Sequence, residues 1–189
     1  MPAAPEPKPT GRDEIISVSL DAAERLYGRY GLANVSLRAI AEEAGVTYSL
    51  LNRHLGTKEQ ILETLLIRSE QRWRDRVTDM DLAETLGELL GPDPDAGSYL
   101  RMLANSLLTS HGTPPEGHLA HSEMHRLVSL AENAELPDGI DPTTATAAAL
   151  ALIFGWRFFN PYIVAALKLT DATATEELHT AIHRLLTVP

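Results

Sequence analysis

The stretch AGVTYSLLNRHLGTKE, residues 44–59, sets two helix ends and two helix starts within sixteen residues. Gly45 can take the left-handed conformation that closes a helix at its C-terminus. Thr47 is an N-cap residue type, and Gly56 stops the helix that it opens. Thr57 and Gln60 form a capping-box pair for the helix that follows. The spacing predicts a short helix from Tyr48 to His54. Leu50, Leu51 and Leu55 form its inward stripe. Tyr48, Ser49, Asn52 and Arg53 form its other face. Capped at both ends and anchored by three leucines, this helix holds a polar and aromatic face in a fixed frame. Stability alone does not call for such an arrangement; presentation to a partner does.

Upstream, the periodicity predicts a first helix from Asp13 to Tyr30, with Ile16, Ala23, Leu26 and Tyr30 at helical spacing and Gly31 closing it. Residues 34–36 restart the chain. Leu37, Ile40, Ala41 and Ala44 stripe a second, eight-residue helix. Downstream, Ile61, Leu62, Leu65, Leu66 and Trp73 mark the buried side of a fourth helix. The second and third helices are joined by a turn of about three residues containing Gly45, the helix-turn-helix arrangement that offers its second helix to the major groove. Ala41 has to be small where the third helix crosses it, and Val46 and Leu51 fill the wedge between the two.

The chain has 189 residues, a net charge of −10 and no cysteine. Disulfides and cysteine metal sites are thereby excluded, and a reducing, cytoplasmic setting fits. The acidity is uneven. Residues 1–76 hold 11 Lys/Arg and 11 Asp/Glu, whereas residues 77–189 hold 5 and 15. The N-terminal part is therefore where a polyanion can dock. Residues 1–12, with Pro2, Pro5, Pro7 and Pro9, read as a disordered arm without the apolar core of a signal peptide. The most apolar run, ATAAALALIFGW at 145–156, is shorter than the ~20 residues of a membrane span. It reads as a buried or interface helix, and no membrane partner is expected. Sustained period-two alternation is absent, so the fold class is all-α: a three-helix helix-turn-helix domain joined to a second helical domain.

The text AAERLYGRYGLANVSLRAIAEEAGVTYSLLNRHLGTKEQILETLL, residues 22–66, resembles the tetracycline-repressor (TetR) family of bacterial transcriptional regulators. The shared pattern is an alanine-rich first helix, a glycine near its end, a Ser/Thr start to the second helix, IA..AGV, a short third helix, and Lys58 opening the fourth. The resemblance implies a disordered arm at 1–12, a DNA-binding domain at 13–57, and a helical ligand-binding and dimerisation domain at 58–189. It implies a ligand-responsive regulator, a repressor that binds a palindromic operator in double-stranded DNA as a homodimer and is released by a small-molecule effector. Carried over by position, Ser36, Arg38 and Thr47 touch or frame backbone phosphates. Tyr48, Ser49 and Arg53 face the groove, and His54 and Lys58 hold the flanking phosphate. Asn52 stands where the family usually has tyrosine; an asparagine can pair with adenine N6 and N7. Leu55 replaces the more usual phenylalanine.

Beyond residue 76, helices are predicted at about 81–90, 97–111, 116–134, 142–168 and 173–187, with GPDPDAG at 91–97 and TPPEG at 113–117 as the clearest breaks. Pro161 should kink the longest of these. The last two helices have the layout of the family's dimer interface. Tyr99, Met102, Met124, Trp156, Phe159 and Tyr162 are large or soft groups suited to lining a ligand pocket. With few charged groups among them, an apolar effector is expected. His118, His121 and His125 fall at i, i+3 and i+7 on one predicted helix face. Glu123 is off that face, so the row reads as a solvated or pH-sensitive surface and not as a metal site. No cofactor is expected.

An enzyme reading finds no Gly-rich phosphate loop, no G-x-S-x-G and no H-E-x-x-H. A different reading stays open at this point: a helical small-molecule or metal-binding protein, with or without catalysis, that has lost DNA binding. The zero net charge of residues 1–76 and Asn52 favour it. Stoichiometric metal, or failure to bind genomic DNA, separates the readings.

Overall fold

The computed structural model describes residues 11–91, 94–109, 112, 116–120, 122–136 and 139–169, together with 176, 177, 180, 181 and 184; the side chains of 94–98, 109 and 116 are excepted. The proline-rich arm and the last predicted helix lie essentially outside the described residues. Among those residues there are helices and no strand: α1 (Arg12–Tyr30), α2 (Leu37–Glu43), α3 (Tyr48–Leu55), α4 (Lys58–Val77), α5 (Leu82–Leu90), α6 (Pro94–Thr109), α7 (Glu116–Ala120), α8 (Met124–Glu132) and α9 (Pro142–Ala166). The chain forms two units. One comprises residues 1–69 and 101–120, and the other comprises 70–100 and 121–189.

In the first unit, α1, α2 and α3 pack on one another. Ile40, Leu51, Ile61 and Leu66 are completely buried there, with Ala22, Ala23 and Ala41 at the close approaches. Burying an aliphatic side chain of this size contributes about 1.5–3 kcal/mol. The inward face of α1 differs from the expected one. Ile15, Ser19, Leu20, Ala22, Ala23 and Tyr27 are buried, while Tyr30 is exposed. The helix is turned so that Ile15, not Ile16, leads the stripe, and Arg29 lies 5.1 Å over the exposed Tyr30 ring.

In the second unit, Leu86 and Leu90 of α5 pack against Ile153 and Trp156 of α9. Asp141 caps α9, accepting the Thr143 and Thr144 N–H groups at 3.0 and 3.1 Å. Those bonds, with the Thr144 hydroxyl first among them, hold its carboxyl below the usual aspartate range. The apolar run that looked too short for a membrane belongs to a 25-residue helix long and apolar enough by composition to cross one. One face of it is committed to protein, since Arg157 donates to the carbonyls of Leu89 and Gly91 at 2.8 and 2.5 Å.

The predicted helix at 116–134 is two helices. Glu123, in the break, is buried, pairs with Arg74, and donates its own N–H to Glu70 Oε2 at 3.5 Å. Those contacts offset the loss of helical hydrogen bonds at the break. His118 and His125 consequently sit on different helices, the first buried and the second exposed. They do not form the expected row, and His121 lies outside the described residues.

Candidate nucleic-acid interface

The reading head begins with two local caps. Ser36 Oγ accepts the Ala39 N–H at 3.1 Å and starts α2. Thr47 Oγ1 accepts the Leu50 N–H at 3.3 Å and starts α3. Between them Gly45 has φ +66°, a conformation in which an ordinary side chain is strained. The Val46 N–H returns to the Ala41 carbonyl at 3.0 Å, closing the turn. Gly56 ends α3 with φ +72°. The capping box follows: the Thr57 N–H reaches Gln60 Oε1 at 2.8 Å, and the Gln60 N–H reaches Thr57 Oγ1 at 3.3 Å.

This frame fixes what α3 shows to solvent. Leu51 and Leu55 are buried and Leu50 is half-buried. Tyr48, Ser49, Asn52 and Arg53 are exposed, and His54 is half-buried at the helix end. Among the described residues, the side chains of Arg38, Tyr48, Asn52 and Arg53 have no intramolecular hydrogen bond or ion pair. Ser49 shares a 3.2 Å hydroxyl contact with Thr47. Ser36 spends one oxygen lone pair on capping and keeps an O–H to donate.

Lys58 opens α4 and is half-buried. A cation at a helix N-terminus is mildly unfavourable, and an external anion relieves that cost. Glu59 beside it stays ionised below the usual range, through its backbone N–H, the Thr57 side chain and Lys58, against some desolvation. Its charge also acts on Tyr27, whose buried phenol is pushed up mainly by desolvation. The end of α3 and the start of α4 enclose an open cleft of about 430 Å³, lined by Asn52, Arg53, His54, Leu55, Gly56, Gln60, Glu63 and Thr64. The arrangement can accept a polyanion: donors on one exposed face, a helix N-terminus at its flank, and a rigid base below.

The groups expected to line an effector pocket are dispersed. Trp156 is in the apolar cluster of the second unit. In the same unit, the Tyr99 hydroxyl donates to Glu70 Oε1 at 2.5 Å; burial, then the Glu70 charge, push its phenol up. Met102 is buried and Met124 half-buried. Phe159 and Tyr162 are 54% and 73% exposed, which puts both on the outer face of α9. The sequence pointed to neither Glu70 nor Glu63, nor to the contacts of Glu123; these carboxylates carry polar contacts across 29 to 54 residues of chain. No local pattern marks such pairs. Among the described residues no group of three or more His, Asp or Glu could hold a metal ion.

The profile described as "Bacterial regulatory proteins, tetR family" matches residues 20–65. The HTH-type transcriptional repressor Rv3405c of Mycobacterium tuberculosis is 32% identical, over 94% of this chain and 92% of its own length. Among solved structures, Salmonella enterica GusR superposes with a TM-score of 0.69 at 17% identity, covering 96% of this chain and 97% of GusR. AibR in complex with isovaleryl coenzyme A and operator DNA gives 0.60 at 18% identity, covering 93% of this chain and 99% of AibR. At such identities the structural matches speak for the fold alone.

Proposed function

Because the chain belongs to the tetR family of bacterial transcriptional regulators, which are DNA-binding helix-turn-helix proteins and not enzymes, we propose that it is a cytoplasmic repressor. It binds an inverted-repeat operator as a homodimer and is released by a small effector with an apolar body. Residues 13–57 form the DNA-binding domain, and residues 58–189 bind the effector and dimerise.

The observation that carries this reading is the α3 face, where Tyr48, Asn52 and Arg53 are exposed and uncommitted on a helix capped at both ends. Arg53 suits a guanine edge and Asn52 an adenine edge, while Arg38 and Lys58 suit phosphates. The exposed side of α9 supports dimerisation. Leu152, Phe159 and Tyr162 lie at i, i+7 and i+10 and are exposed, on a stripe beside the packed Ile153 and Trp156. Exposed apolar stripes of this kind mark protein interfaces. On this reading Phe159 and Tyr162 belong to the interface, and Tyr99, Met124 and Trp156 of the second unit remain the pocket candidates. AibR, of the same fold, is solved with both an acyl thioester and operator DNA, which favours an effector carrying an acyl chain. DNA and effector are coupled reciprocally, by about 1–3 kcal/mol.

The test is selection of fragments from fragmented genomic DNA by the purified protein. Enrichment of a few fragments sharing an inverted repeat is expected. Recovery no better than random fragments would remove the DNA-binding reading and return the helical scaffold that lost it.

A further inference from the structure

We propose that Glu63 is a switch carboxylate: parked on the backbone of α7 it leaves the DNA-reading face open, and released it turns toward Arg53 in the cleft and neutralises it. The inference rests on the DNA-binding reading above. Glu63, Arg53 and α7 all lie in the first unit.

Glu63 stands on α4, one turn past the capping residue Gln60, and lines the cleft that Arg53 and His54 also line. Its carboxylate does not face them unopposed, because Oε1 accepts the Gly117 N–H at 2.9 Å. This contact joins residues 54 apart in the chain. Gly117 has no left-handed backbone requirement; a Cβ there would overlap Glu63 Oε1 as it is placed and push the carboxylate away. The fit is therefore specific to an acceptor reaching the α7 backbone. The chain leaves this unit after Ala120, three residues beyond Gly117. A shift of the chain at that exit pulls directly on the parked contact.

The electrostatics supply the consequence. Arg53 carries no ion pair among the described residues, so its guanidinium is available to DNA. A carboxylate released into the same cleft offers Arg53 a local partner and places a negative charge beside incoming phosphates. Like-charge juxtaposition of that kind suppresses docking. Parking costs the carboxylate little, since a hydrogen bond from a backbone N–H replaces water.

The experiment uses the full-length protein and the DNA fragment it selects, with affinity read by fluorescence anisotropy at fixed salt and folding by thermal melting. Glu63→Asp keeps the charge but falls one methylene short of Gly117, and Gly117→Ala displaces the carboxylate sterically. Each should weaken binding about tenfold, the scale of one charge-assisted contact. Glu63→Gln keeps an acceptor and removes the charge, and should bind no more weakly than the unaltered chain, which separates loss of the charge from loss of the parked contact. The double variant Glu63→Gln with Gly117→Ala should recover the affinity lost by Gly117→Ala alone. Should Gly117→Ala not fold, the Glu63→Asp and Glu63→Gln pair decides. Equal binding by those two, or no recovery in a folded double variant, overturns the switch. Failure of the unaltered chain to select any fragment is a different result, and it strikes the DNA-binding reading itself.

Discussion

Two helices of this protein turn a well-defined face to solvent, and the faces are chemical opposites. The outer side of α3 is polar and holds Ser49, Asn52 and Arg53 above a buried Leu51. The outer side of α9 is apolar and holds Leu152, Phe159 and Tyr162 above a buried Ile153. Both helices are built alike otherwise, with an oxygen-bearing N-cap and a packed aliphatic face. Exposed helix faces with ordered bases are therefore not interchangeable surface. Exposed polar donors such as Asn52 and Arg53 suit a polyanion, and uncovered rings suit a second protein surface.

The sharpest way to break the comparison is to remove a base. Leu51→Ala empties a fully buried site under the polar face and should cost about 2–5 kcal/mol of stability. Thermal melting of the isolated chain reads it directly. A loss under ~0.5 kcal/mol, the range of ordinary surface changes, would mean that Leu51 does not hold the frame.

Next in size is the apolar face. Phe159→Glu should weaken self-association by roughly 2–4 kcal/mol, the range of an interface hot spot, while leaving helicity intact. Analytical ultracentrifugation should show a dimer for the unaltered chain and a monomer for the variant. A dimer of unchanged strength would show that this face does something else.

The polar face separates reading from holding. Arg53→Ala should cost about 1–3 kcal/mol in operator affinity and relax preference at one base position per half-site. Lys58→Ala should weaken all sequences alike and reduce the slope of log affinity against log salt by about one. Identical uniform losses in the two variants would make Arg53 a phosphate contact.

How legible were the two regions in the sequence? The first unit announces itself because its determinants are local. Thr47 caps three residues ahead, Thr57 and Gln60 cap each other, and Gly45 turns where it stands. Residue type and spacing suffice for such features. Facing was less legible: Ile15 and Ile16 are neighbours, and only packing decides which points inward. The second unit is tied by long reaches. Arg126 holds the carbonyls of Val77, Thr78 and Met80, and Arg157 holds those at the end of α5. A surface arginine and a carbonyl-gripping arginine look the same in a sequence. The partner that Glu123 finds at the break was hidden for the same reason, since Arg74 lies 49 residues away.

The smallest expected effect compares the two N-caps. Thr47 has no charge to lose, whereas Asp141 does. Its folded carboxyl lies below the ordinary aspartate value, so its stabilisation of α9 is present above about pH 4 and fades as pH falls through the lower folded value. A carboxyl NMR titration should place Asp141 below a model aspartate. Coincidence with the model value would mean that the Thr144 bonds do not hold in solution.

The central claim is that two copies of the polar face read one stretch of DNA because two copies of the apolar face join. Hydroxyl-radical footprinting of the selected fragment tests both halves at once. The account predicts two protected patches on one side of the duplex, related by two-fold symmetry and about one helical turn apart, with two chains bound per fragment. A single unsymmetrical patch held by one chain would contradict it.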